Sequence, residues 1–502
     1  MDRLNLSLPA QHDYTDPTVE LEPARLQTWL SDLPLMNVVE TVRLVSGALT
    51  ALNEQKLETE VRFQCLEAYR PTVLRLFETV DPLHIRQLTM SRSQRHATTA
   101  AATGLFDGLA SGYKLIVMDL YGQDVPLAGQ ALNRAIDALG CVLHDCFRFY
   151  RVVPSSLVAE LHQLYRAARR QGLLDVALPD EGGQTGATTA NTYKFNMLLS
   201  LTDPDRLAEG EINLLADVLQ EHVDSCRVVQ GGNWTGSGAG LFLLDLAGDA
   251  LPRACTELTA PVTEGDPYLL DTTVALGAMR ERLTGIPELV RQCSPEAIML
   301  QRLLPDERGA RLRREQRHRD GRWVSLLVGL GSIHGHLLQV SGKPAAAGGG
   351  DGSAPMDCRV LDSSENGMRL FVEEGGAGDA RVGDLLGVSE GKAGQQTLRL
   401  ASIRSLRVLE EGGMETGVEN IAGGAGAVYC SLPDQPAAAP VQALFLPAEE
   451  GADLAATLVV DCGLYEEGRA LLIDVGGREI HVRAGRLVSD SPVFDRFEFA
   501  AE

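Results

Sequence analysis

The sequence lacks most of what would place it in a membrane, in an oxidising compartment or among the common enzymes. It has no apolar run of the roughly 18 to 20 residues that a bilayer span needs, so membrane insertion is not expected. The N-terminus, Met-Asp-Arg-Leu-Asn-Leu-Ser-Leu-Pro, is followed closely by acidic residues and has no signal-peptide core, which points to the cytoplasm. The nine cysteines (Cys65, Cys141, Cys146, Cys226, Cys255, Cys293, Cys358, Cys430 and Cys462) are odd in number, scattered and never arranged as Cys-x-x-Cys. They read as buried thiols, not as a disulfide frame. Net positive charge is absent as well: the formal net charge is -23. Such a chain releases few counterions from a polyanion, which argues against a nucleic-acid polymer as partner.

No catalytic constellation stands out. The glycine-rich stretch Gly231 to Gly240 lies between two expected strands, 227–230 and 241–246, but has neither the Gly-Lys-Ser/Thr ending of a P-loop nor the spacing of a dinucleotide fingerprint. A plain hairpin connection is the expectation, and an enzyme built around this loop ranks last. His334-x-His336 is expected on a strand with both imidazoles on one face. No Cys, Asp or Glu stands at a matching spacing, so no metal site is assigned. Glu221-His222 and Cys141-x-x-His144-Asp145-Cys146 fall on amphipathic helical patterns among apolar neighbours and read as core or helix-surface residues. The expectation is a protein that is not an enzyme, with no catalytic residues, no metal and no cofactor.

What is present begins with size. At 502 residues, with 44% hydrophobic and 23% charged content, the chain exceeds one core and should divide into two to four globular domains. Residues 1–20 read as a loose leader. From 21 to 304 the pattern is mostly helical. Val38, Val42, Val45, Leu49 and Leu52 recur at spacings of 4, 3, 4 and 3 behind Asn37 and Glu40, placed like a capping box. A second helix runs from about Glu58 toward Phe77, kinked or broken near Pro71. Others are expected around 94–119, 126–151, 157–168, 212–223, 267–283 and 295–304.

Beyond 304 the period changes. Strands are expected at 323–330, 333–340, 358–361, 368–372, 397–403, 404–409 and 414–419, punctuated by glycine and forming a small antiparallel barrel. Ser431 to Pro440 reads as a Pro/Ala-rich linker. More strands follow at 443–446, 457–460, 470–475 and 478–483, the last pair joined through Gly476-Gly477. This C-terminal segment, 431–502, is either an extension packed on the barrel or a small barrel of its own.

One stretch reverses the acidic trend. Between 302 and 322, eight arginines (Arg302, Arg308, Arg311, Arg313, Arg314, Arg317, Arg319 and Arg322) face four acids (Asp306, Glu307, Glu315 and Asp320). Guanidinium presents a planar fork matched to phosphate and to guanine edges, so the stretch reads as a local anion site. With 40 arginines in the chain an Arg-x-x-x-Arg pair arises by chance about three times, so the pattern needs a second element. That element is Asp362-Ser-Ser-Glu-Asn-Gly367, a polar turn between the apolar runs 358–361 and 368–372.

Arg313-Arg-Glu-Gln-Arg317 followed by Asp362-x-Ser364-x-x-Gly367 resembles the ligand signature of the PilZ domain, the bacterial receptor module for cyclic di-GMP. Val382-Gly383-Asp384 and Gly417-Val418-Glu419-Asn420 stand at family-like places, and the resemblance covers about 120 residues, 305–430. It implies a PilZ-like antiparallel β-barrel, which with the patterns on either side gives an α+β multidomain protein: a mostly helical N-terminal region, that barrel and a β-rich C-terminal segment. It also implies cyclic di-GMP as ligand, held by Arg313, Arg314 and Arg317 on a mobile segment and by Asp362, Ser364 and Gly367 at the barrel rim. Signal transduction would then reorient the helical region toward an unidentified protein partner. The rival expectation is a structural adaptor whose barrel no longer binds nucleotide. It draws on Ser363, where the family usually has an apolar residue, and on the Gly/Ala/Pro-rich insertion 341–356 between the two motifs.

Overall fold

The computed structural model describes residues 4–13, 16, 19–123, 125–179, 185–230, 238–255, 268–291, 294–304, 317–342, 355–373, 380–390, 397–410, 412–433, 439–448, 455–475 and 477–501. They fall into two compact units, Met1–Pro204 with Glu209–Leu312 and Asp205–Ala208 with Arg313–Glu502.

The first unit is helical. Val38–Glu54 is capped by Asn37, whose side chain accepts from the Glu40 N–H, and Val38, Val42, Val45, Leu49 and Leu52 are all buried along one face. Glu40 itself turns outward to Arg43 at 2.6 Å. The next helix runs from Thr59 to Thr79 with Pro71 inside it, so the chain does not break there. Arg92–Asp119 opens on a full capping box of Ser91 and Gln94. It packs with Pro126–Arg148, which is buried along most of its length. Ser155–Arg170, Thr189–Ser200, Glu211–His222, Thr273–Gly285 and Pro295–Leu303 follow. A small antiparallel sheet interrupts them, in the order Arg227–Gln230, Tyr268–Asp271, Leu241–Leu244, Arg253–Ala254. Tyr268–Asp271 is thus a strand where the helical pattern was expected to resume. Among the described residues no helix is long and apolar enough to cross a membrane.

The second unit is built from antiparallel strands. Gly367–Val372 pairs with Met414–Ala422, which pairs with Thr397–Val408, then Leu385–Glu390, Trp323–Val328 and Met356–Ser364. Met356–Ser364 returns to pair with Gly367–Val372, closing six strands into a barrel. The short strand His318–Arg319 lies along the end of Met356–Ser364. Cys358, Val360, Met368, Leu370 and Val372 are buried, and the residues between them face outward, the period of two that a half-buried strand requires.

Two readings of this unit need correction. Residues 333–340 are not a strand: Leu330–Val340 is a helix. Gly329, at φ +84, ends the preceding strand, and Leu330, Ile333, Leu337 and Leu338 recur at helical spacing. That helix packs into a core shared by Leu327, Leu385 and Leu400 of the first barrel and Leu444, Leu446, Val459 and Phe494 beyond it. The stretch read as a linker, Ser431 to Pro440, connects two paired strands, Gly426–Ser431 and Val441–Leu446. With Thr457–Asp461, Ala470–Asp474, Glu479–Asp490 and Phe494–Ala501 these close a second barrel of their own. Its turn at 475–478 closes with the Val475 N–H donating to the Arg478 carbonyl at 3.0 Å, with Gly477 at φ +87.

Candidate functional site

Asp362, Ser364 and Gly367 lie on one hairpin of the first barrel. The strand extends through Ser364, so the turn itself is only Glu365-Asn366. Leu370 is opposite Val360 whereas Arg369 is opposite Asp362, so Leu361 is an extra residue, a bulge. The two-residue turn sets Asp362 directly across from Arg369, and the bulge beyond that pair keeps Asp362 on the same face as Arg359.

The Asp362 carboxylate holds two arginines. Arg317 Nη1 donates to Oδ1 at 2.5 Å, and Arg369 Nε lies 2.9 Å from Oδ2. Arg369 Nη1 is also 3.8 Å from Glu415 Oε2 on the neighbouring strand. The Asp362 side chain is 15% exposed, against 30% for Arg317 and 47% for Arg369, so the carboxylate is recessed behind the arginines that hold it. Each guanidinium carries five N–H donors. Two arginines thus meet on one carboxylate, with Glu415 beside Arg369, and their remaining donors are left for an anion.

The flanking groups set the shape of this hairpin. Ser364 Oγ donates to the Gly367 carbonyl at 3.3 Å, across the turn. Asn420 pins the turn, donating from its backbone N–H to Asn366 O at 2.9 Å and from Nδ2 to Glu365 O at 3.0 Å. Gly367 serves packing, because a Cβ there would meet the Val418 carbonyl oxygen at 2.3 Å. Ser363 donates to Asp320 Oδ2 at 3.3 Å, which gives the unexpected polar residue a local partner. The Asp320 carboxyl is held below the usual carboxylate range, first by the backbone N–H of Arg322. In the second family-like segment, the Asp384 side chain accepts from the Arg381 N–H at 2.7 Å and Gly383 sits at φ +97.

Of the expected ligand residues, Arg317, Asp362, Ser364 and Gly367 are thus brought together, while Arg313 and Arg314 lie outside the described residues, as does most of the 341–356 insertion. Arg369 was missed. Its signal was the hairpin itself, since a two-residue turn puts the second residue after Gly367 opposite Asp362, but by sequence pattern the whole of Asp362 to Gly367 reads as the turn.

The other candidates separate. His334 is on a helix and fully buried, and its Nε2 donates to the Val428 carbonyl at 3.0 Å beneath Tyr429. At helical spacing His336 is on another side, so the two imidazoles do not share a face. Burial lowers the His334 pKa. On Pro126–Arg148, burial raises the Cys141 thiol well above its ordinary value, and burial with the nearby Arg148 pushes His144 down to about 4. Both shifts oppose a thiolate–imidazolium pair. Asp145, raised by burial, accepts from the Thr103 hydroxyl and pairs with Arg148 at 3.4 Å. Glu221 pairs with Arg282. Most of the glycine-rich loop, 231–237, lies outside the described residues.

Two family models match this chain. "Cyclic-di-GMP receptor FimW, N-terminal domain" matches residues 24–231, and "FimW C-terminal beta-barrel domain" matches residues 430–501. The barrel that carries Asp362 lies between the two matches. A Pseudomonas aeruginosa protein, "Cyclic-di-GMP receptor FimW", is 23% identical over 99% of this chain and 93% of its own length. The chain is therefore similar to the FimW N-terminal domain over 24–231 and to the FimW C-terminal β-barrel domain over 430–501.

Proposed function

We propose that this protein is a cytoplasmic cyclic di-GMP receptor, not an enzyme, and that its ligand site is the PilZ-like barrel between the two matched domains. Arg317 and Arg369, with Arg313 and Arg314 from the same arginine segment, take the phosphates and guanine edges. Asp362, Ser364 and Gly367 form the hairpin on which they rest. The observation that carries this reading is the Asp362 carboxylate, which holds one arginine from each side at 2.5 and 2.9 Å, the Arg317 side chain being 30% and the Arg369 side chain 47% exposed. Arginine suits the task because it binds phosphate bidentately, pairs with guanine O6 and N7, and stacks on the purine. The P. aeruginosa relative, a cyclic-di-GMP receptor by name, supports the same ligand.

The arginine segment follows the last helix of the first unit, Pro295–Leu303, and precedes the first barrel strand. A ligand that captures it alters the freedom of the connection between the units, and this is how we infer that binding reaches a protein partner through the helical region. The adaptor reading loses one of its supports, since Ser363 is used by Asp320. Isothermal titration of the full chain with cyclic di-GMP tests the proposal: saturable binding that Arg317→Ala weakens is expected. The absence of binding heat at several temperatures would leave the adaptor reading in its place.

A further inference from the structure

Along the barrel from Asp362, three side chains stand in a row on its outer face. Trp323 is opposite Arg359, and Arg359 is opposite Phe371. Residues directly opposite on antiparallel strands share a face, and their neighbours Val324, Cys358, Val360, Leu370 and Val372 are the buried ones. The row therefore points out. Arg359 lies over the Phe371 ring, its Cζ 5.7 Å from the centroid. Trp323 is 58% exposed, a large π-face left open beside a cation. Single exposed hydrophobics are common on protein surfaces, but this one adjoins the candidate site. Arg369, two residues from Phe371 along its strand, is on the same face, and so is Asp362, directly opposite Arg369. The stretch from Arg317 to Trp323 also runs along the Met356–Ser364 edge: Arg319 is opposite Asp362, the Asp320 N–H donates to Leu361 O, and Arg322 O accepts from the Val360 N–H. Three residues of strand, about 10 Å, separate Arg359 from Asp362.

We propose that Trp323, Arg359 and Phe371 form a stacking platform for one purine of the ligand, while Arg317 and Arg369 hold its phosphate. The inference rests on the receptor reading above and extends its site to residues outside both motifs. A nucleotide presents its charge at one end and a flat π-surface at the other, and this face offers the same two chemistries in sequence along one strand. Indole is the largest side-chain surface for stacking, and Arg359 beside it has donors for guanine O6 and N7.

The test is calorimetric titration of the full chain with cyclic di-GMP, comparing the parent, Trp323→Phe and Trp323→Leu. Phenylalanine keeps a π-face and should bind within about three-fold of the parent, whereas leucine keeps only apolar bulk and should bind on the order of ten-fold or more weakly, the loss of one base stack. Tryptophan emission should be quenched by ligand in the parent, and that quenching should be missing from Trp323→Phe. A parent that does not bind overturns the receptor reading and the platform with it. A parent that binds, together with a Trp323→Leu variant that titrates identically, overturns the platform alone.

Discussion

Gly367 and the Val418 carbonyl approach each other so closely that a Cβ on Gly367 would lie 2.3 Å from that oxygen. The glycine of the ligand motif is therefore required by the barrel itself, whatever it does for a nucleotide. Gly367→Ala must push the Met414–Ala422 strand away, at a cost of about 1 to 3 kcal/mol. Hydrogen exchange should speed up at amides of both strands, Gly367–Val372 and Met414–Ala422. Unchanged protection there would mean the approach relaxes freely and the glycine is kept for the ligand.

Arg317 and Arg369 share Asp362, so their contributions to ligand binding should be coupled. Each alanine substitution removes a charge-assisted contact of about 1.5 to 3 kcal/mol, roughly ten- to a hundred-fold in affinity. Arg317→Lys should recover little, because an ammonium has no planar fork. The double variant should fall short of the sum of the two, since both act through one carboxylate. Strict additivity, measured by titration, would show that the two arginines serve separate sites.

His144 makes the helical unit sensitive to acid. Its ordinary pKa is 6.5, and burial and then Arg148 push it down to about 4 in the folded protein. Between these values the unfolded chain carries a proton there that the folded chain refuses. The stabilisation is complete above pH 6.5 and is lost as pH falls toward 4, with a slope of about 1.4 kcal/mol per unit. Other groups titrate in the same range, so the comparison is with His144→Gln. The gap in unfolding free energy between parent and variant should narrow as pH drops from 7 to 5. A constant gap would place the titration elsewhere.

Cyclic di-GMP should also protect amides of 306–322 from exchange and change protection on the surface of the helical unit. Ligand protection confined to Asp362–Gly367 would describe a site that binds without passing the signal on.

The sequence alone determined much of this protein. Helical spacing placed Val38, Val42, Val45, Leu49 and Leu52 on one buried face, because a period of 3.6 has few alternatives in a segment that long. The paired motifs put Arg317 near Asp362 although 44 residues separate them. The tertiary structure decided the rest. Residues 330–340 carry a helical spacing of leucine and isoleucine in a run of only eleven residues between strands, and the space between two barrels, with Gly329 ending the strand before it, selects the helix. The C-terminal strands could pair with one another or extend the first barrel, and local pattern does not distinguish these because strand pairing is a long-range choice. Arg369 and Trp323 belong to the candidate site only through register. The two-residue turn sets Arg369 against Asp362, and a register shift of one residue would have turned it to the other face.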